Sequence, residues 1–160
     1  MPEKFYSTGY DLVEDYKLWV DISRNQKVWN LPDYLIYYRI HPKSATNVNS
    51  NKLYLQDIRI YKYLFEPLKI EIDPRKAFIH LIIKNNQTIY DKNVLKEIEA
   101  FLVLILNQNE TCKVYNQDEL TKVVFERWLK VCYKSRGLKM QTLKAFLNSS
   151  LFPTYLKTVL

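Results

Sequence analysis

The chain has 160 residues, enough for one ordinary domain or for a small domain with an appendage, and its net charge is +7. It contains only two glycines, Gly9 and Gly137, where average usage would give roughly ten. A loop that cradles phosphate needs several glycines so that its backbone can approach the oxygens, which excludes a G-x-G-x-x-G or Walker loop.

The first third of the chain predicts one helix and two extended segments. An apolar stripe at helical spacing, which includes Trp19, predicts a helix over 13–23. Residues 28–31 and 34–40 predict two strands hinged at Pro32. The second strand is rich in β-branched and aromatic residues, so we expect it to be well buried.

The remainder of the chain predicts helices only. Residues 53–65 have a helical pattern that Pro67 ends. Asp73 followed by Pro74 predicts the N-cap and first residue of a helix that reaches Lys84.

Two further helix starts share one pattern. Asp91 and Asn116 are predicted N-caps, and Glu119 is expected to complete a capping box with Asn116. A tyrosine precedes each cap and a leucine follows at the fourth helical position, which is the spacing of a hydrophobic staple. Gly137 is predicted to end the second of these helices, and two short helices around Pro153 complete the chain.

These elements predict an α+β protein that is mainly α. The expected architecture is a short strand pair with a flanking helix, followed by a C-terminal helical bundle. We expect two segments, a mixed one over 1–66 and an all-helical one over 67–160.

The number of cysteines and the length of the apolar runs bear on the cellular compartment of the protein. Cys112 and Cys132 are too few for a disulfide framework, which favours a reduced, cytoplasmic setting. The longest apolar run, 100–106, is far shorter than the roughly 20 residues of a membrane span, so it predicts a buried helix.

The positive charge is concentrated at one end. Residues 1–119 carry sixteen basic and sixteen acidic residues, whereas 120–160 carry eight basic residues and the single acid Glu126. This asymmetry is typical of a surface for an anionic partner, either a membrane or a nucleic acid. It is equally typical of a solvated basic helix face.

Two blocks near the N-terminus resemble a known signature. Gly9-Tyr10-Asp11 and the run EDYKLW, residues 14–19, resemble the "G-[FY]-D … E-D-Y-x-L-W" pattern of family 2 (GT-A fold) glycosyltransferases. The run NLPDYLIYYRIHPKSATN, residues 30–47, resembles the family's "L-P-x-x-L-x-Y-Y-R-x-H-x-x-S". The resemblance covers about residues 8–66 and implies the C-terminal, acceptor-side piece of such an enzyme.

The resemblance implies a role for two carboxylates. Asp15 corresponds to the general base that takes the proton of the acceptor hydroxyl, and Glu14 is expected to orient its neighbours. A helix N-terminus favours the ionised carboxylate that a base requires. Acids are also common in first helical turns for purely structural reasons, and this alternative explains both residues without the resemblance.

The resemblance also implies substrate and metal contacts. Tyr38, Arg39 and Trp19 would lie on the substrate-binding side, and His41 would reach the donor diphosphate or its metal. The alternatives are an ion pair for Arg39, a turn before Pro42 for His41, and packing of the helix against a sheet for Trp19.

The donor side of such an enzyme has no counterpart in this sequence. It contains no D-x-D pair, the usual holder of Mg²⁺ or Mn²⁺ on a nucleotide diphosphate. We therefore expect this chain alone to be inactive and to bind no metal. A divalent metal, a nucleotide-sugar donor and a glycan or lipid-linked acceptor belong to the intact parent, in which the donor side is part of the same chain or a separate chain.

Two other expectations follow from the basic end. A cytoplasmic glycosyltransferase with a lipid-linked acceptor would meet the inner face of a membrane, to which residues 120–160 could bind peripherally. The alternative function is a helical binding module that uses this surface on nucleic acid or another anionic partner, with Trp128, Tyr133 and Phe146 stacking on bases.

Overall fold

A computed structural model of the chain describes residues 8–37 and 50–159. The chain divides into two compact units, Met1–Leu64 and Phe65–Leu160, which we call the first and second units. The described residues contain seven α-helices and two short 3₁₀ helices. The predicted predominance of helix is therefore confirmed, but the predicted α+β class is wrong, because the described residues contain no strand. The assignment of 1–66 to an acceptor-side segment and 67–160 to a helical segment stays a prediction.

The described part of the first unit contains two helices, α1 (Glu14–Asn25) and α2 (Ser50–Phe65), and the last residue of α2 is the first of the second unit. Acidic residues occupy the first turn of α1 and Arg24 occupies its last turn, which suits the helix dipole at both ends. The helix predicted over 13–23 is confirmed, with its end two residues later.

The predicted strand pair is wrong. The described part of the chain contains no strand, and residues 28–31 and 34–37 have irregular backbone. Tyr34 and Tyr37 are fully exposed, although this segment was expected to be buried. Aromatic and β-branched residues favour strands because their side chains pack on neighbouring strands. The described ranges contain no strand that could serve as such a neighbour. Residues 38–40 lie outside those ranges.

The second unit is helical throughout its described residues. Its α-helices are α3 (Pro74–Lys84), α4 (Lys92–Cys112), α5 (Gln117–Lys134), α6 (Met140–Asn148) and α7 (Leu151–Val159). The 3₁₀ helices cover Glu66–Leu68 and Arg136–Leu138. Helix α4 packs against α3, α5 and α6, and α5 packs against α6 and α7, so these two long helices form the centre of the unit.

The predicted N-caps of the second unit are confirmed. The side chain of Asp73 accepts a hydrogen bond from the Lys76 N–H, and Asp91 and Asn116 cap α4 and α5 in the same way. The staple predicted at Tyr90 is wrong, because this side chain is 80% exposed. Exposure of the ring leaves the cap itself intact, since the cap is a hydrogen bond within three residues.

A buried amide shapes the connection between α4 and α5. Asn109 donates to the Tyr115 carbonyl oxygen at 2.9 Å and to Gln117 Oε1 at 2.6 Å, and its Oδ1 accepts from the Tyr115 N–H at 2.8 Å. Lys113 ends α4 in the left-handed conformation, with φ of 54°. The side chain of Asn109 thus satisfies backbone groups that the turn would otherwise leave unpaired.

An aromatic cluster attaches the last two helices. Phe125 of α5 stacks on Tyr155 of α7 with ring centroids 4.2 Å apart, and Phe152 lies 6.0 Å from Phe125. Phe146 of α6 joins the cluster 5.7 Å from Phe152. Offset and tilted ring pairs of this kind stabilise the packing beyond the burial of area alone.

Among the helices that the structure describes, none combines the length and the apolar character that a membrane span requires.

His80 of α3 lies within an aromatic environment. Its ring meets that of Phe65 edge-on at 5.1 Å and lies 6.3 Å from that of Phe101. Burial lowers the pKa of His80 to about 4, and the positive charges of Lys84 and Arg127 act in the same direction. His80 is therefore neutral in the folded protein at pH 7, as expected for a histidine that serves packing.

Lowering the pH should destabilise the second unit through His80. In the unfolded chain His80 has an ordinary pKa of 6.5, so it takes up a proton as the pH falls below that value. In the folded chain it takes up this proton only near its lowered pKa of about 4. Between pH 7 and pH 5 this difference lowers the free energy of unfolding by about 2 kcal/mol. Urea denaturation of wild type and His80→Leu at pH 7 and at pH 5 measures this loss of stability. An equal pH dependence in the two proteins would contradict the assignment.

Candidate functional site

The chain enters α1 through a turn that needs glycine. Gly9 has φ of 86°, in the left-handed region, and Leu12 has φ of 71°. The Arg59 guanidinium donates to the Gly9 carbonyl oxygen, and the Val13 N–H donates to the Tyr10 carbonyl oxygen at 3.0 Å. A Cβ atom at Gly9 would lie 2.7 Å from Arg59 Nη1, at the end of a flexible side chain that can shift. The left-handed backbone conformation is therefore what selects glycine here.

The two candidate catalytic carboxylates lie at the start of α1. Glu14 and Asp15 occupy the first helical turn, and both are exposed. Asp15 Oδ1 accepts a hydrogen bond from the Tyr16 N–H at 2.7 Å. The predicted position of Asp15 in a first helical turn is therefore confirmed, whereas the roles of Glu14 and Asp15 stay predictions.

A buried lysine fixes α1 against α2. Lys17 donates to Asp21 Oδ2 one turn later, and Tyr63 of α2 donates its hydroxyl proton to Asp21 Oδ1 at 2.6 Å. The Lys17 ammonium lies 4.0 Å from the centroid of the Tyr63 ring and 5.5 Å from that of Tyr10. We call Lys17, Asp21 and Tyr63 the lysine network.

The lysine network keeps both charges at neutral pH. Burial alone would lower the pKa of Lys17, but hydrogen bonds to Asp21 and Tyr63 and the charge of Asp21 raise it. Burial would likewise raise the pKa of Asp21, yet the hydrogen bonds from Lys17 and Tyr63 lower it. Lys17 and Asp21 therefore form an ion pair with opposite charges over a wide pH range.

Two arginines lie over the rings of Tyr63 and Tyr10. Arg24 lies over the Tyr63 ring at 4.0 Å and donates to the Tyr63 carbonyl oxygen at 2.7 Å. Arg59 lies over the Tyr10 ring at 4.6 Å. Cation–π contacts and hydrogen bonds thus join the N-terminal turn, α1 and α2.

A cavity of about 550 Å³ borders α1 and the segment that follows it. Tyr16, Trp19 and Ser23 of α1 line it together with Trp29 and Asn30. We call it the tryptophan cavity. Trp19 is 59% exposed, and Trp29 is 93% exposed. The prediction that Trp19 packs α1 against a sheet is wrong, because its side chain faces solvent and the described residues contain no sheet.

Asp15 and Trp19 share one side of α1. They are four residues apart, so their side chains lie about one turn from each other on the helix surface. A ligand that contacts Trp19 at the rim of the tryptophan cavity is therefore within reach of the end of α1 that carries Asp15.

Three predicted site residues lie outside the described ranges. Tyr38, Arg39 and His41 fall in 38–49, so the substrate and metal roles that the resemblance implies for them stay predictions. Within the described residues no group of three or more histidine, cysteine or acidic side chains could hold a metal ion.

The aromatic residues proposed to stack on nucleic-acid bases differ in access. Trp128 is completely buried in α5, and its indole is unavailable to a ligand. Phe146 belongs to the aromatic cluster of the second unit, and Tyr133 is exposed. Only one of the three rings is thus freely accessible for stacking.

Comparison of the chain with protein-family models, with curated proteins and with solved structures found no match.

The sequence analysis missed the lysine network. Lys17 and Asp21 have the i,i+4 spacing of a helical ion pair, which is a detectable but common signal. Tyr63 is 42 residues from Asp21, and nothing in a single sequence links the two. Arg59 and Gly9 are likewise 50 residues apart, so only the folded chain connects them.

Replacement of the two glycines should separate their roles. Gly9→Ala places a Cβ in a left-handed residue against Arg59, and we expect the free energy of unfolding to fall by about 1–2 kcal/mol. Gly137→Ala is the matched control, because no atom lies within 4 Å of its added Cβ. The control should be neutral or slightly stabilising, since alanine restricts the unfolded chain. Urea denaturation measures both variants, and equal losses would contradict this account of Gly9.

Proposed function

We propose that this chain supplies the acceptor side of a family 2 (GT-A fold) glycosyltransferase, with Asp15 as the general base. The observation that carries the proposal is the exposed carboxylate of Asp15 at the start of α1, one turn from Trp19 at the tryptophan cavity. The residues that bear the resemblance, Gly9 to Asp11 and Glu14 to Trp19, form the turn and helix that hold this carboxylate.

The chemistry requires an oriented, ionised carboxylate. As the acceptor hydroxyl attacks the anomeric carbon of the donor sugar, Asp15 accepts its proton and the nucleotide diphosphate leaves. A carboxylate in the first turn interacts favourably with the helix dipole. The hydrogen bond from the Tyr16 N–H restricts the rotamer of Asp15. Glu14 lies beside Asp15 and would orient the acceptor or its neighbours.

The tryptophan cavity suits a glycan acceptor. Its volume lies within the range of small-ligand sites, about 300–1,000 Å³. The faces of Trp19 and Trp29 are broad and apolar, and they match the C–H faces of a pyranose ring. Ser23 and Asn30 add hydroxyl and amide groups that can hydrogen-bond to sugar hydroxyls.

The donor side must be supplied by other residues. A nucleotide diphosphate needs a divalent ion, Mg²⁺ or Mn²⁺, on acidic ligands, and this sequence has no D-x-D pair. In the proposed enzyme a separate segment or chain holds the donor and its metal. Arg39 and His41 are the residues of this chain that would approach the diphosphate.

Calorimetry on this chain tests the acceptor side. An acceptor-type oligosaccharide should give weak, saturable heat that Trp29→Ala abolishes, because the exposed indole is the contact surface. Tyr90→Ala, which removes another exposed aromatic residue from the second unit, should bind as wild type does.

Nucleotide sugars with Mn²⁺ should give no heat. Micromolar affinity for a nucleotide sugar would contradict the assignment of this chain to the acceptor side.

Two matched carboxamide variants separate catalysis from helix stabilisation. Asp15 and Asp118 are both exposed, and each occupies the second position of its helix. Asp15→Asn and Asp118→Asn should each cost about 0.3–1 kcal/mol of stability through the helix dipole. In the intact enzyme only Asp15→Asn should lower kcat, by about 10²–10⁴-fold, with donor binding retained. An equal kcat in the two variants would leave Asp15 with a structural role only.

A further inference from the structure

Helix α6 turns its apolar stripe to solvent. Met140, Leu143 and Leu147 recur at helical spacing and are 62%, 48% and 63% exposed. The inward side carries Thr142, whose hydroxyl donates to the Ser135 carbonyl oxygen at 2.6 Å. Leucine and methionine at this spacing normally face a protein core, so their exposure in a row marks a contact surface.

The stripe continues onto the neighbouring helix. Leu129 and Tyr133 of α5 are exposed, and both residues line two shallow cavities of about 320 and 360 Å³. Leu143 of α6 lines the larger one as well. We call Leu129, Tyr133, Met140, Leu143 and Leu147 the apolar face of the second unit.

Cations surround the apolar face. The two cavities are also lined by four basic residues, Lys130, Lys134, Arg136 and Lys139. Arg136 lies over the Tyr133 ring at 4.5 Å, and Lys144 is exposed on α6 between Leu143 and Leu147. These belong to the eight basic residues of 120–160, where Glu126 is the single acid.

We propose that the apolar face and its surrounding cations bind the surface of an anionic lipid bilayer. Leucine and methionine side chains enter the boundary between headgroups and acyl chains, while lysine and arginine remain at the level of the phosphates. Tyrosine is favoured at this depth because its ring is apolar and its hydroxyl is polar. The composition of the face thus matches both layers of a membrane interface.

The same residues argue against two other occupants. A nucleic acid would pair with the cations, but Met140, Leu143 and Leu147 are aliphatic and have no base-stacking plane. A second copy of the chain would bring an identical set of cations against this face, and like charges repel. An anionic bilayer complements both the charge and the apolar side chains.

Co-sedimentation with vesicles tests the proposal. Wild type should pellet with phosphatidylcholine vesicles that contain phosphatidylserine and not with phosphatidylcholine alone. Binding should fade as salt rises from about 0.15 M to about 1 M, where the Debye length falls from about 8 Å to about 3 Å. Strong pelleting with neutral vesicles, or none with anionic vesicles at low salt, would overturn it.

Two sets of variants test the residues. Met140→Ser/Leu143→Ser/Leu147→Ser should weaken the partition constant about tenfold or more, because apolar area no longer leaves water on binding. Tyr90→Ser/Val114→Ser removes exposed apolar side chains elsewhere in the unit and should bind normally. All five positions are solvent-accessible, and circular dichroism checks that both proteins remain folded. Equal binding by the two sets would overturn the proposal.

The charge variants are matched in number. Lys139→Gln/Lys144→Gln should weaken partitioning about thirtyfold, at roughly fivefold per cation that reaches the surface. Lys92→Gln/Lys96→Gln removes two exposed cations from α4 and should bind as wild type does. Equal losses in both pairs would mean that net charge alone drives binding and would overturn the assigned face.

An environment-sensitive dye reports insertion directly. The dye is attached to the new thiol of the double variant Cys112→Ser/Leu143→Cys. Its fluorescence emission should shift to the blue only with anionic vesicles. Cys132 is buried, and burial raises its pKa to about 12, so its thiol reacts slowly with the dye. Asp15→Asn should leave this shift unchanged, because the apolar face is independent of the proposed catalytic base. Binding without a shift would exclude insertion of α6.

Discussion

The buried side chain of Lys17 constrains how α1 lies in the described part of the first unit. Burial disfavours an unpaired charge, and Asp21 and the Tyr63 ring supply the ion pair and the cation–π contact that offset this cost. Lys17 points inward, and Asp15, two residues earlier, lies about 160° away around the helix. The lysine network therefore fixes the rotation of α1 that exposes Asp15 and Trp19.

Local signals in the sequence were sufficient for the helices, and long-range signals were missing for the site. Asp73, Asp91 and Asn116 were identified as caps because a cap depends on residues within one turn. The strand predicted over 34–40 depended on a partner strand, and its residues do not determine whether such a partner exists. Tyr63 could not be assigned to the network for the same reason, since its contacts are with residues some forty positions earlier.

Periodicity also leaves open which side of a helix faces inward. The stripe of Met140, Leu143 and Leu147 has the spacing of core residues, yet the opposite side of α6 packs on the unit. Phe146 meets Phe152, and Thr142 bonds to Ser135, so aromatic and hydrogen-bonding contacts decide the orientation. Phe146 is itself a large apolar side chain, so its packing on Phe152 offsets part of the apolar area that the exposed stripe leaves in water.

The two carboxylates of α1 differ in their fitness as a base. A general base must be held within hydrogen-bond reach of the acceptor hydroxyl, so a side chain with restricted rotation loses less entropy in the reactive complex. Asp15 has two side-chain torsions and accepts the Tyr16 N–H, whereas Glu14 has one more torsion. Asp15 also shares a side of the helix with Trp19, which lines the tryptophan cavity. Under the proposed function, these differences favour Asp15 over Glu14 as the base.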